Sequence, residues 1–161
     1  MNETHIHLLI THLPIVGAAL GVLVLIHGIW NKSDTTLTAA YNLLIISAIG
    51  AGIAYATGEG AEETVEHLPG ISKNVIEEHA ESALISLISL MIMGGIAVIG
   101  LFVTLKSTAF TRPVALLALT AALVGFGLIA RTGYLGGQIR HTEIGTDAMS
   151  PLKGGNGKDN D

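Results

Sequence analysis

Residues 83–105 read ALISLISLMIMGGIAVIGLFVTL, a run of 23 residues without a charged side chain. About 20 apolar residues in helical conformation are enough to cross the ~30 Å hydrocarbon core of a bilayer. Three further apolar runs cover residues 8–30, 38–57 and 113–131. Each is expected to be a helix, because an open strand edge cannot satisfy its backbone groups in lipid. The sequence therefore predicts an all-α, integral membrane four-helix bundle.

The segments around these runs complete a single predicted domain. We expect residues 1–148 to form the four-helix transmembrane domain, with an acidic loop on its outer side over residues 58–82. Residues 149–161 are rich in Gly, Asn, Asp and Lys, a composition typical of a flexible polar tail. Residues 1–7 lack the basic character of a cleavable signal peptide. The first run is therefore expected to be a membrane helix.

The overall composition agrees with this class and excludes others. Charged residues make up 13% of the 161 residues, about half of what a soluble domain carries. The mean hydropathy is +0.60. The chain contains no Cys, which excludes disulfide frameworks, iron–sulfur clusters, c-type haem attachment and thiolate metal sites. A net charge of −5 leaves no basic face for nucleic acid.

The positions of Lys and Arg predict the orientation of the bundle. Lys32 lies in the first short loop, and Lys106 and Arg112 lie in the loop between the third and fourth runs. The positive-inside rule places both loops in the cytoplasm and both termini on the periplasmic side. Arg131, at the end of the fourth run, and Arg140, beyond it, argue for the opposite orientation. We expect a multi-pass protein of the bacterial inner membrane, surrounded by lipid.

Histidines are concentrated at the predicted outer end of the bundle. Imidazole nitrogen is a ligand for haem iron, zinc and copper. His27 lies alone at the other end, which leaves no pair of histidines there for an inner haem. We therefore expect at most one haem, at the outer end. The six histidines on that side are His5, His7, His12, His67, His79 and His141.

Four short motifs carry a resemblance to a known family. They are HLPI at residues 12–15, Thr-Gly at residues 57–58, EHA at residues 78–80 and GYLGG at residues 133–137. With these motifs the chain resembles a family of small four-helix bacterial membrane proteins catalogued as a domain of unknown function. The resemblance implies a b-type haem or another redox-associated role beside respiratory components.

Carried onto this sequence, the resemblance implies His12, His79 and His141 as candidate ligands. We expect His12 and His79 to be the axial pair, with His141 as the substitute for either. Arg131 and Arg140 would face the haem propionates through charge-assisted hydrogen bonds.

Depth along the helices complicates this pairing. A straight-helix count places His79 about 13 Å above His12, too far for two axial bonds to one iron. Tilt of the third helix, a lower register or a canted ring would close the gap; otherwise His79 pairs with His141. We expect His12→Ala to abolish cofactor retention, and His7→Ala and His27→Ala to preserve it.

Three functions remain open. The first is an electron-transfer protein with one haem b near the outer surface, which passes electrons from quinol to a periplasmic redox protein. The second is a membrane protein that binds zinc or copper. The third is a cofactor-free structural subunit of a respiratory complex whose acidic loop docks a partner. The metal ligands in the second would be His5, His12, His67, His79 and His141, with Glu59, Glu63 or Glu81.

None of these functions makes the chain an enzyme on its own. No Gly-x-Ser-x-Gly turn or phosphate-binding loop is present in the sequence. We expect an electron carrier or a subunit of an oxidoreductase. Four helices expose much surface, which is compatible with a homo-oligomer.

Overall fold

The computed structural model describes residue 7 and residues 9–58, 60, 73–106 and 109–140. Within these residues the fold is all-helical, as the sequence predicts, with four long helices and no strand. The helices are α1 (His12–Asn31), α2 (Asp34–Ala56), α3 (Lys73–Leu105) and α4 (Thr111–Arg140). The polar tail predicted at residues 149–161 lies outside the described residues.

Two helices extend beyond the apolar runs that predict them. Helix α3 begins at Lys73, so residues 73–82, expected to belong to the outer loop, form helix instead. Helix α4 continues to Arg140 rather than ending near residue 131. A hydropathy run marks the part of a helix that suits lipid, whereas backbone hydrogen bonding continues through polar residues with high helix propensity, such as Glu77 and Glu78.

A tight turn forces α1 and α2 into an antiparallel pair. Lys32 adopts a left-handed conformation with φ of 56° and ends α1. The Ser33 backbone N–H donates to the Gly28 carbonyl at 3.0 Å. The Ser33 hydroxyl then caps α2 by accepting from the Thr36 backbone N–H at 3.3 Å. The acidic side chain of Asp34 in the first turn of α2 complements the helix dipole.

The four helices form a closed ring in chain order. Helix α1 packs on α2, α2 on α3, α3 on α4, and α4 returns to α1 through the smallest of these interfaces. Helices α1 and α3 are therefore diagonal to each other, as are α2 and α4. Because the helices alternate in direction, the starts of α1 and α3 lie at the same end of the bundle as the ends of α2 and α4.

Small residues set the register between α1 and α2. A Cβ atom added at Gly17 would lie 3.0 Å from the Ser47 Cβ, and one at Gly21 would lie 2.4 Å from the Leu44 side chain. The Ser47 hydroxyl donates to the Pro14 carbonyl at 2.8 Å across the same interface. Close approach of backbones at small residues is the usual way in which helices associate in membranes.

The outer surface of the bundle is apolar. All four helices are long and apolar enough to cross a membrane. Large aliphatic and aromatic side chains point outwards, with Trp30 at 81% exposure and Phe102 at 62%. The core in contrast contains Ala18, Ala40, Ala97 and several other small residues. This distribution, with bulky apolar residues outside and many alanines at the helix contacts inside, matches a bundle whose solvent is lipid.

Tyr41 is the largest fully buried side chain in the core. Its ring lies against Gly100, where an added Cβ would be 2.6 Å from both Cε1 and Cζ of the ring. The Tyr41 hydroxyl lies beside Thr104, yet the two buried oxygens are not placed in hydrogen-bonding geometry. Gly100 is thus the residue that makes room for Tyr41 between α2 and α3.

We predict that Gly100→Ala destabilises the bundle by about 1–3 kcal/mol, because a buried ring cannot move away from the new methyl group without strain. Gly95→Ala, on the same helix, is the matched control. An added Cβ at Gly95 meets nothing within 4 Å. That variant should be neutral or slightly stabilising through helix propensity. Unfolding in mixed detergent micelles, followed by circular dichroism, measures both; equal effects would contradict the role of Gly100.

Candidate cofactor site

One end of the bundle brings two imidazoles to backbone carbonyls of neighbouring helices. His7 precedes α1 and lies beside the end of α2, while His79 lies in the second turn of α3 beside the last part of α4. Both side chains are half-buried. Since α1 packs on α2 and α3 packs on α4, the two histidines belong to different helical hairpins of the bundle.

His7 is fixed by the end of α2. Its Nδ1 donates to the Ala54 carbonyl oxygen at 2.9 Å and lies 3.3 Å from the Thr57 hydroxyl oxygen. A carbonyl oxygen can only accept, so Nδ1 carries the proton in the neutral ring. The Nε2 atom therefore keeps a free lone pair. The Thr57 hydroxyl also bonds to the Ala54 carbonyl, at 3.1 Å.

His79 is fixed in the same way by α4. Its Nδ1 donates to the Thr132 carbonyl oxygen at 3.1 Å. The same reasoning assigns the proton to Nδ1 and leaves the Nε2 lone pair free. Histidines that ligate metals nearly always donate their second ring nitrogen to a carbonyl or carboxylate, which sets the tautomer and orients the ring.

A glycine follows each acceptor by four residues. Gly58 lies four residues after Ala54, and an added Cβ there would be 3.5 Å from His7 Cε1. Gly136 lies four residues after Thr132, and an added Cβ there would be 3.1 Å from His79 Cε1. On a helix a residue and the fourth one after it share a face, so a glycine lets the ring reach the carbonyl. The approach is tight at Gly136, within α4, and an ordinary contact at Gly58, beyond the end of α2.

A buried hydroxyl cluster supports the His79 setting. The Thr132 hydroxyl donates to the Leu128 carbonyl at 3.2 Å. Its two remaining lone pairs accept from the Ser82 hydroxyl at 2.7 Å and from the Ser86 hydroxyl at 2.8 Å. His79, Ser82 and Ser86 are three and four residues apart and therefore share one face of α3. This polar face joins α3 to α4 directly below the imidazole.

Of the histidines expected as ligands, His12 and His79 are the two that the structure describes. His12 is exposed, and its position five residues after His7 places it about 140° around the helix from that residue. His27 is exposed at the opposite end of α1, where its ring bonds to the Asn31 amide at 2.9 Å.

The other expected site residues take varied positions. Arg131 is exposed beside Thr132, and Arg140 is the last residue of α4. Glu81 is exposed on α3. The remaining candidates, His5, His67, His141, Glu59 and Glu63, lie outside the described residues.

From the sequence alone, His7 is interpreted as an interfacial residue and not as a ligand. The signal that could have identified it is a seven-residue spacing. His7, Pro14, Gly21 and Gly28 lie at intervals of seven, and the last three are all buried. His12 lies outside this series, on the opposite face. Counting residues along each helix predicts the end of the bundle at which a histidine lies, but it does not predict the face of the helix that carries the histidine.

The described residues contain no group of three or more His, Cys, Asp or Glu side chains arranged to hold a metal ion. Within the described residues, the candidate site consists of the imidazoles of His7 and His79. Comparison with protein-family models, with curated proteins and with solved structures finds no match for this chain. The family resemblance therefore rests on the four sequence motifs alone.

We predict that Gly136→Ala weakens the His79–Thr132 hydrogen bond, because the new methyl group forces the ring away by a few tenths of an ångström. Gly137→Ala is the matched control, since an added Cβ at Gly137 meets nothing within 4 Å. Long-range ¹H–¹⁵N spectra of the histidine rings measure the effect. His79 should give an Nδ1–H pattern in the parent and in Gly137→Ala, and a shifted or mixed pattern in Gly136→Ala. A parent spectrum with Nε2–H at His79 would refute the assignment.

Thr132→Val tests the hydroxyl cluster. Valine keeps the shape of threonine but leaves the Ser82 and Ser86 hydroxyls without their acceptor, which should lower the free energy of unfolding by about 1–3 kcal/mol. Thr132→Ser retains the acceptor and should lose much less. Unfolding in mixed micelles compares the two variants, and equal losses would mean that the hydroxyl has no such role.

Proposed function

We propose that this chain is a multi-pass membrane protein that binds one b-type haem between His7 and His79, and that it transfers electrons. The observation that carries the proposal is the pair of imidazoles, each with Nδ1–H held by a backbone carbonyl and Nε2 free. Two histidines from different hairpins at one end of a bundle would hold the iron of a single haem between them. Haem iron needs no further protein ligand.

The number of donors favours haem over a bare metal. Structural zinc takes four protein ligands and catalytic zinc takes three. Two imidazoles meet the need of a bis-histidine haem but not that of such a zinc site. Zinc or copper remains the second candidate, because His5, His67 and His141 belong to the same end of the sequence pattern and could add ligands.

When bound, haem supplies a one-electron redox couple. The residues of the chain hold the two rings in place, shield them by half-burying them, and donate from Nδ1 to carbonyl oxygens. Such hydrogen bonds make the ligating nitrogen more basic and so tune the metal. Arg131 and Arg140, on the last turns of α4, would supply positive charge for propionates at this end of the bundle.

The surroundings support an outward-facing redox site. Lys32, Lys106 and Arg112 lie at the end opposite the imidazoles, which by the positive-inside rule supports a periplasmic position for the imidazoles in the proposal. Glu77, Glu78 and Glu81 are exposed on α3 near His79. An acidic surface there would guide a basic periplasmic redox protein, with quinol in the membrane as the electron donor.

We predict that His7→Ala and His79→Ala each abolish haem retention, since each removes one axial nitrogen. His12→Ala and His27→Ala are the controls, because both side chains are exposed on other faces. The measurement is the Soret band and the haem-to-protein ratio of protein purified from haem-replete cells, followed by a dithionite difference spectrum. The parent and both controls should show a low-spin spectrum, and the two site variants should be colourless.

A different pattern of loss would overturn the assignment. If His12→Ala loses haem and His7→Ala retains it, the axial pair is the one expected from the motifs and not the one proposed. A colourless parent after haem reconstitution would refute the haem proposal altogether. Elemental analysis of that colourless protein separates the remaining candidates: stoichiometric zinc or copper favours a metal site, and no metal favours a structural subunit.

A further inference from the structure

A cavity of about 240 Å³ lies at the end of the bundle opposite the imidazoles. It is formed where the turn between α1 and α2 meets the start of α4. This volume is below the range of pockets for drug-sized ligands, so it suits a small polar group rather than a whole organic cofactor. The lining includes the charged residues Lys32, Asp34 and Arg112 and the apolar residues Ile29, Leu37 and Ala115.

The charges around this cavity do not neutralise one another in pairs. Among the described residues, no ion pair within 4 Å joins Lys32 or Arg112 to Asp34. Two cations and one carboxylate give the lining a net charge of +1. A phosphodiester carries one negative charge, whereas phosphate monoesters carry about 1.5 to 2 at neutral pH. Lysine and arginine are also the side chains that bind phosphate oxygens through charge-assisted hydrogen bonds.

Lys32 has a backbone conformation that glycine would adopt more easily. Its φ of 56° is in the left-handed region, where glycine is the usual residue after a helix. The backbone therefore does not explain the lysine. Lys32 lines the cavity together with Arg112, and its ammonium group is the feature that glycine would lack.

The cavity lies where the apolar surface of the bundle meets its polar end. Trp30, at 81% exposure, is next to the turn, and tryptophan is enriched at the level of lipid headgroups. Ile26 on α1 and Leu116 on α4 are exposed nearby along the two helices. Acyl chains could lie on these side chains while the headgroup reaches the cavity.

We propose that this cavity binds the phosphodiester headgroup of a phospholipid in the leaflet at the Lys32 end. Lys32 and Arg112 donate to the phosphate oxygens. Because Asp34 cancels one of their two positive charges, a headgroup with a single negative charge is favoured. The lipid tails cover the exposed surface of α1 and α4, whose mutual interface is the smallest in the ring. This site is independent of the imidazole pair.

The test is thermal unfolding of the purified full-length chain in detergent, with added lipid. Dioleoyl phosphatidylglycerol is the probe, and dioleoylglycerol, which has the same chains without phosphate, is its control. Inorganic phosphate is tested separately. The variants are Lys32→Gly and Arg112→Gln, with Lys106→Gln as the matched control, because Lys106 is an exposed cation near the same end that does not line the cavity.

We expect phosphatidylglycerol to raise the unfolding temperature of the parent and of Lys106→Gln, and dioleoylglycerol to leave it unchanged. Arg112→Gln and Lys32→Gly should need roughly tenfold more lipid for half of the shift, because each loses one charged hydrogen bond. Lys32→Gly should nevertheless unfold at a higher temperature than the parent without lipid, since glycine suits the left-handed conformation. That combination excludes misfolding as the cause of lost binding.

Three results would overturn the proposal. The first is an equal shift with phosphatidylglycerol and dioleoylglycerol, which would mean that only the chains bind. The second is a loss in Lys106→Gln as large as in the two site variants, which would mean that overall charge is responsible. The third is a shift with inorganic phosphate as large as with the lipid, which would assign the cavity to a free anion.

Discussion

Polar groups inside a bundle with an apolar exterior must find their partners within the chain, and most of this structure follows from that constraint. Backbone carbonyls serve as the main acceptors. The Pro14 carbonyl accepts from Ser47, the Ala54 carbonyl from His7, and the Thr132 carbonyl from His79. Each of these hydrogen bonds joins neighbouring segments of the bundle, so the contacts that position the helices also fix the polar side chains. The unpaired hydroxyls of Tyr41 and Thr104 are exceptions, and they lie in the core away from the imidazoles.

The same constraint explains why the candidate site lies at a bundle end. An imidazole can reach a carbonyl of a neighbouring helix only where the residue covering that carbonyl is small. Gly136 meets this need in α4, where an added Cβ would be 3.1 Å from His79 Cε1. One glycine of the motif at residues 133–137 therefore acts as a contact point for an imidazole ring. In α4 the helix continues through all three glycines of its motif.

The sequence alone predicts the four-helix architecture and the end of the bundle at which the candidate site lies. Apolar runs predict four helices, because the length needed to cross a bilayer leaves few alternatives. The same count predicts which end of the bundle carries the imidazoles. It does not give the rotation of each helix, which depends on packing: Pro14, Gly21 and Gly28 turn one face of α1 inwards, and this face includes His7 and not His12. Where a helix begins or ends among polar residues, as α3 does at Lys73, the hydropathy of the sequence does not mark its boundary.

The two imidazole settings bear on stability as well as on chemistry. Each is built within one hairpin: His7 and Ala54 join α1 to α2, and His79 and Thr132 join α3 to α4. A ligand held by both Nε2 atoms would therefore link the two hairpins across the bundle axis. Between the hairpins, α2 and α3 pack extensively, whereas α1 and α4 share the smallest interface. A bridging cofactor would thus strengthen the assembly on a diagonal where the helices share little direct contact, and by linkage its binding would raise the stability of the folded bundle.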